Sequence, residues 1–80
     1  MNIPEELQGI LTMDPKILSG AVRFKGTRVP VQALLDTLMR GQTIEYFVDD
    51  FPDVTEEQAA AVLRWEQNEA RRALGVKLVA

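Results

Sequence analysis

The chain has 80 residues, enough for one domain with a modest hydrophobic core. Its hydrophobic fraction of 46% and charged fraction of 26% are typical of a folded globular protein. It has neither cysteine nor histidine, which excludes disulfides, thiolate catalysis and Cys-based zinc sites and removes the commonest general base. We therefore expect a binding module rather than an enzyme, with no catalytic residue, metal site or cofactor.

The N-terminal segment and the net charge bear on where the protein is located and what it binds. The segment from Met1 to Glu6 has no basic region and no long apolar run, so we expect no signal peptide. No stretch is apolar and long enough to span a membrane, and we expect a cytoplasmic protein. The net charge of -3 is unusual for a protein that grips DNA. A homodimer or higher homo-oligomer is expected, because a second copy would cover apolar surface that so small a core leaves open.

The N-terminal half predicts an arm followed by a β-hairpin. Residues 1–9 are expected to form a loose arm, with a short helical turn after Pro4. The two strand candidates are Ile10–Met13 and Ala21–Lys25. Two turn signals, Asp14-Pro15 and Ser19-Gly20, lie between them. An isolated hairpin is marginally stable, so this one must pack on helices or pair with a second copy.

Three helices are predicted after the hairpin. The first starts near Pro30 and ends at Gly41, the second follows a Thr43 cap from Ile44 to about Asp50, and the third runs from a Thr55–Gln58 capping box to about Leu74. The predicted inward faces are Val31, Leu34, Leu35 and Leu38, then Ile44, Phe47 and Val48, then Ala59, Val62 and Leu63. Residues 10–74 form the predicted domain and residues 75–80 a tail. The fold class is mainly α: a three-helix core with a short N-terminal β-hairpin.

Several motifs along this chain resemble those of a bacterial and archaeal family, domain of unknown function 433. They are Asp14-Pro15, Gly20, the run from Lys25 to Val31, Gly41, Phe51-Pro52, Thr55 and the Ala60–Leu63 run. The match covers roughly residues 10–66. The chain departs at Val22, where the family often has Pro, and at Trp65, where it often has Tyr. The resemblance implies a homeodomain-like or winged-helix-like core, and antitoxin-like proteins often encoded beside a PIN-like nuclease toxin.

The basic residues around the hairpin exit are the first candidate site. On a strand, Arg23 and Lys25 would share one face, and Arg28 follows closely. This stripe is interpreted either as a surface for nucleic acid or an acidic partner protein, or as a solvated face that protects a strand edge. Gly26, Thr27 and Arg28 have two interpretations. The N–H groups of Gly26 and Thr27 and the Arg28 side chain would hold a phosphate. Alternatively, and this is the role we favour, Gly26 would permit a tight turn while Thr27 and Arg28 tie the hairpin to the first helix through hydrogen bonds.

The third helix carries an acidic leading end. Helices two and three have helix-turn-helix spacing, but Glu56 and Glu57 would meet DNA phosphates at an energetic cost. Gln58 is the one residue there suited to reading adenine, and the capping box already engages it. We therefore expect the contact surface to lie at the hairpin and its Gly26–Arg28 exit rather than on the third helix.

Three further features have competing interpretations. Trp65 is either a core-edge residue that covers the hairpin or an interface anchor, and we favour the interface. The acidic residues Asp49, Asp50 and Asp53 lie at a helix end and turn, where Asp is common, and do not indicate a metal site. The segment from Arg71 to Ala80 is either a frayed tail or a toxin-binding segment.

Two functions follow from these patterns and the resemblance. The first is an antitoxin-like helix-turn-helix protein that forms a homodimer, binds a PIN-like nuclease toxin and contacts operator DNA. The second is a protein–protein assembly module with no DNA role, which the acidic start of the third helix favours.

Overall fold

A computed structural model describes residues 3–75 of the chain. Within this range the architecture is mainly helical, with a two-stranded antiparallel hairpin before three helices, as predicted. The regular elements are β1 (Leu11–Thr12), β2 (Arg23–Phe24), α1 (Val31–Met39), α2 (Ile44–Asp50) and α3 (Glu56–Leu74). One turn of 3₁₀ helix at Glu5–Leu7 precedes β1, and another at Leu18–Gly20 lies inside the hairpin loop.

The N-terminal segment packs on the body of the protein over residues 3–9. The short helical turn predicted after Pro4 is present. The expectation that this segment forms a loose arm is wrong, because Leu7 is only 3% exposed and belongs to the core. The segment lies against α3, where the indole N–H of Trp65 donates to Glu6 Oε2 at 2.9 Å. Two apolar residues, Ile3 and Leu7, in a short and otherwise mostly polar stretch give little periodicity, so the burial of Leu7 was not apparent from the pattern.

The hairpin is short and its loop is wide. Leu11 pairs with Phe24 and Thr12 with Arg23, so the loop spans residues 13–22. The chain then returns along the free side of β2, since the Phe24 N–H donates to the Val29 carbonyl at 3.0 Å and the Val31 N–H to the Val22 carbonyl at 2.9 Å. The β2 strand is thus held on both sides, which offsets the marginal stability of an isolated hairpin.

The three helices begin and end at signals that the sequence carries. Pro30 directly precedes α1 in extended geometry, and Gly41 follows it with φ +82°. The hydroxyl of Thr43 accepts the Tyr46 N–H at the start of α2. At the start of α3 the Thr55 hydroxyl accepts the Gln58 N–H at 3.1 Å, and Gln58 Oε1 accepts the Thr55 N–H at 2.9 Å. This reciprocal capping box gives acceptors to two backbone N–H groups, those of Thr55 and Gln58.

Replacing the α3 cap should have a measurable but limited cost. We expect Thr55→Ala to lower the free energy of unfolding by about 1 kcal/mol, because a backbone donor loses its acceptor. Thr55→Ser, which keeps the hydroxyl, is the matched control and should stay within a few tenths of the parent. Urea unfolding followed by circular dichroism measures both variants. Equal losses in Thr55→Ala and Thr55→Ser would show that the hydroxyl is not the stabilising group.

The core lies where β2, α1, α2 and the start of α3 meet. Its fully buried side chains are Phe24, Phe47, Leu34, Val54 and Thr37. The predicted inward faces are right for four residues that are buried: Leu34, Phe47, Ala59 and Val62. Leu35 and Leu63, which were assigned to the same faces, are only half-buried. Thr37 was not predicted to be buried. Its hydroxyl donates to the Ala33 carbonyl at 2.8 Å, which satisfies the polar group within its own helix.

None of the helices in residues 3–75 combines the length and the apolarity that crossing a membrane requires.

Candidate functional site

An open cleft of about 430 Å³ lies beside the turn that follows β2. Its lining residues are Ile17, Arg23, Gly26, Thr27, Arg28 and Asp53, and we call it the arginine cleft. It brings together four of the five residues predicted for this site, and it adds Ile17 and Asp53. Lys25 is not part of its lining.

The turn at Gly26–Arg28 is fixed by a short hydrogen-bond network centred on Thr27. The Thr27 N–H and hydroxyl both donate to the Phe24 carbonyl, at 3.1 and 2.9 Å. The same hydroxyl accepts the Val29 N–H at 3.0 Å. Thr27 therefore ties residues 24–29 of the turn together, and none of these three bonds reaches α1. The Arg28 side chain, also expected to tie the hairpin to the first helix, makes no hydrogen bond within residues 3–75.

Gly26 supplies the backbone conformation that this turn needs. Its φ is +79°, a left-handed conformation that strains residues with a Cβ, yet no atom lies within 4 Å of where a Cβ would stand. We therefore expect Gly26→Ala to cost about 1–2 kcal/mol of stability from backbone strain alone. Gly9, which also has open space around it but no such φ, provides the control. A Gly9→Ala loss as large as that of Gly26→Ala in urea unfolding would contradict this account.

The two arginines of the cleft are not neutralised by neighbouring acids. Among the described residues no carboxylate lies within 4.0 Å of Arg23 or Arg28, although Asp53 lines the same cleft. The Nε of Arg23 is buried and has no hydrogen-bond partner in the part of the chain that the structure describes. An unpaired buried donor costs about 1–3 kcal/mol. The arrangement leaves positive charge and unused donors in one concave place.

The backbone adds two more donors beside the arginines. The N–H groups of Gly26 and Arg28 have no acceptor among residues 3–75. Unpaired backbone N–H groups in a glycine-containing turn are a common way to hold an oxyanion. Chemically, the cleft is suited to binding an anion.

Lys25 lies apart from the two arginines. Its Nζ donates to the Gln8 carbonyl at 3.0 Å, and its backbone N–H donates to the Ile10 carbonyl at 2.7 Å. The assigned strand β2 ends at Phe24, although the Lys25 N–H continues the pairing of the hairpin by one residue. The predicted basic stripe is therefore divided into a cleft pair, Arg23 and Arg28, and a lysine held by the N-terminal segment.

Sequence reasoning missed the apolar and acidic walls of the cleft. Ile17 is carried by a turn in which Leu18, Ser19 and Gly20 all have positive φ. Two adjacent non-glycine residues in this conformation store strain that the turn must offset. The Ser19-Gly20 pair did signal a turn, but no local signal indicated that it would lie beside Arg23. Asp53 comes from the α2–α3 connection, which only the tertiary packing brings here.

Trp65 lies on α3, where this helix contacts the N-terminal segment. It is half-buried, packs against the core and donates to Glu6. Together with Glu6, Leu7 and Arg64 it lines a smaller groove of about 190 Å³. These contacts place Trp65 at the edge of the core, as one interpretation had it, but beside the N-terminal segment and not over the hairpin. The interface role that we favoured from the sequence stays a prediction.

The leading end of α3 is acidic, as the sequence indicated. Glu56 and Glu57 are exposed in its first turn, and Gln58 is engaged in the capping box. No group of three or more acidic residues in the described range is placed to hold a metal ion, and the Asp49–Asp53 region does not form one. The predicted tail is outside the described residues from Val76 onward, while Arg71 and Leu74 lie in α3.

The fold and the site define a class: a small three-helix domain with an N-terminal hairpin and an anion-suited cleft at the hairpin exit. The model of a family described as a protein of unknown function (DUF433) matches residues 11–65, and the chain belongs to this family. The resemblance seen in the sequence motifs is thereby confirmed. No match was found among curated proteins, and none among solved structures.

Proposed function

We propose that this chain is the antitoxin-like partner of a nuclease: a non-enzymatic module that recognises a PIN-like toxin through a protein–protein contact. The observation that carries the proposal is the arginine cleft, where two guanidinium groups that form no salt bridge within residues 3–75 share one concave surface. Such surfaces are typical of recognition, since arginine is enriched at interface positions that dominate binding. The absence of histidine and cysteine from the sequence supports a binding role over a catalytic one.

A contact with operator DNA is the second candidate, and the succession of α2 and α3 favours it. The electrostatics oppose it. The first turn of α3 presents Glu56 and Glu57 to solvent, and the chain carries a net charge of -3. Both would repel the phosphates of a duplex. The proposal therefore gives priority to the protein partner, in a homodimeric cytoplasmic protein.

The test is direct measurement of both contacts with one purified protein. The PIN-like nuclease that we propose as the partner is expected to be encoded beside this gene, to copurify with the chain and to lose nuclease activity in the complex. A duplex covering the upstream region is titrated at low and at physiological salt, where operator binding would show a steep salt dependence. A nuclease that neither copurifies nor is inhibited would overturn the proposal. Duplex binding without nuclease binding would favour the second candidate.

A further inference from the structure

We infer that the arginine cleft receives one carboxylate of the partner protein, an Asp or Glu side chain or the chain terminus. This inference rests on the proposed function, because it names the chemical group by which the partner would be recognised. It goes further in assigning Arg23 and Arg28 as the residues that hold the group, and in leaving Lys25 out.

The donors of the cleft match a single oxyanion. Arg23 and Arg28 offer guanidinium groups with no acid within 4.0 Å among the described residues. Guanidinium forks pair with carboxylates in a bidentate geometry. The N–H groups of Gly26 and Arg28, which have no acceptor within residues 3–75, belong to the same turn. The lining of the cleft thus combines two guanidinium groups with this turn, and Asp53 is its one carboxylate.

The charge balance favours a monoanion over a polyanion. Two arginines and Asp53 give the lining a formal charge of +1, which one carboxylate neutralises. A nucleic-acid backbone needs a series of basic contacts along its phosphates. The third basic residue of the region, Lys25, is instead bonded to the Gln8 carbonyl and lies outside the cleft. The acidic α2–α3 region, from which Asp53 comes, would repel a longer polyanion.

The remaining wall suggests how a protein would present this group. Ile17 gives the cleft an apolar side, and the adjoining Leu18 is 39% exposed. An acidic side chain with its own methylene groups, or an apolar neighbour, could cover this wall while the carboxylate meets the arginines. A bare phosphodiester has no equivalent apolar part.

The experiment uses the full chain, labelled with ¹⁵N, and a defined probe. The probe is N-acetyl-glutamate α-amide, which carries one side-chain carboxylate, and the control ligand is the neutral N-acetyl-glutamine amide at equal ionic strength. We expect the amide signals of Gly26 and Arg28 to shift saturably with the glutamate compound at millimolar concentration, and not with the glutamine compound.

Variants locate the effect within the cleft. Arg23→Gln combined with Arg28→Gln should weaken binding by at least about tenfold, as charge-assisted hydrogen bonds are lost. Lys25→Gln, the matched control, should leave it unchanged. Asp53→Asn should tighten binding a few-fold, because it removes the one negative charge in the lining. The chemical-shift spectra of each variant also report directly whether it is folded.

The outcomes separate this inference from the proposed function. Absence of a saturable shift, or a shift that persists in the double arginine variant, would overturn the carboxylate assignment. Duplex DNA binding that is lost in the same double variant would overturn it in favour of nucleic acid. A nuclease complex that forms equally well with the double variant would leave the proposed function standing and remove only the cleft from it.

Discussion

Phe47→Ala is expected to lower the free energy of unfolding by about 3–5 kcal/mol, the usual cost of removing a buried phenyl ring. Phe47 is fully buried, and its ring centroid lies 6.0 Å from that of Phe24 and 5.1 Å from that of Phe51. It therefore joins the hairpin to α2 and to the turn before α3. A domain of this size has a total stability of roughly 4–12 kcal/mol, so the variant should be largely unfolded or close to it.

The same helix offers a control for this prediction. Tyr46 is 46% exposed, and Tyr46→Ala should cost clearly less, since nearly half of this residue is already in contact with water. Urea unfolding followed by circular dichroism gives both values. Comparable losses in the two variants would mean that Phe47 does not occupy the centre of the core.

Trp65→Ala is expected to cost about 2 kcal/mol, less than a fully buried Trp because the ring is half-exposed. The substitution removes packing against the core and the hydrogen bond to Glu6. The N-terminal segment should then lose its attachment to α3, and amide exchange over residues 5–10 should become faster.

Two further measurements separate the core-edge role of Trp65 from the interface role. Trp65→Phe keeps most of the packing and loses the indole donor, so it should cost about 1 kcal/mol. Light scattering then compares the oligomeric state of all three proteins. If Trp65→Ala leaves stability and exchange unchanged but dissociates a dimer, the interface role is correct and the core-edge role is wrong.

The helical part of the fold was predictable because its signals are local. Thr43 and Thr55 mark the starts of α2 and α3, and Gly41 and Gly75 follow α1 and α3 with positive φ. Caps and left-handed glycines act within a few residues, so the sequence displays them directly. The hairpin was also foreseen from its alternation and turn residues, although the observed strands are shorter than the predicted ones.

What sequence reasoning missed depends on contacts between distant residues. The burial of Leu7 requires α3 beside it, and the cleft requires Ile17 and Asp53 to approach Arg23. Contacts between residues that are far apart in the sequence do not appear in its local periodicity. The division of the basic stripe has the same origin, because the Gln8 carbonyl that holds Lys25 is supplied by the N-terminal segment. Four residues of the cleft were candidates from the sequence, whereas Ile17, Asp53 and the grouping into a cleft needed the structure.

The sharpest test is the affinity of the purified chain for the PIN-like nuclease that we propose as its partner. Calorimetry measures it for the parent, for Arg23→Gln combined with Arg28→Gln, and for Lys25→Gln. The account predicts that the double variant binds at least about tenfold more weakly, while Lys25→Gln binds like the parent. Equal affinities for the parent and the folded double variant, or a loss confined to Lys25→Gln, would contradict it.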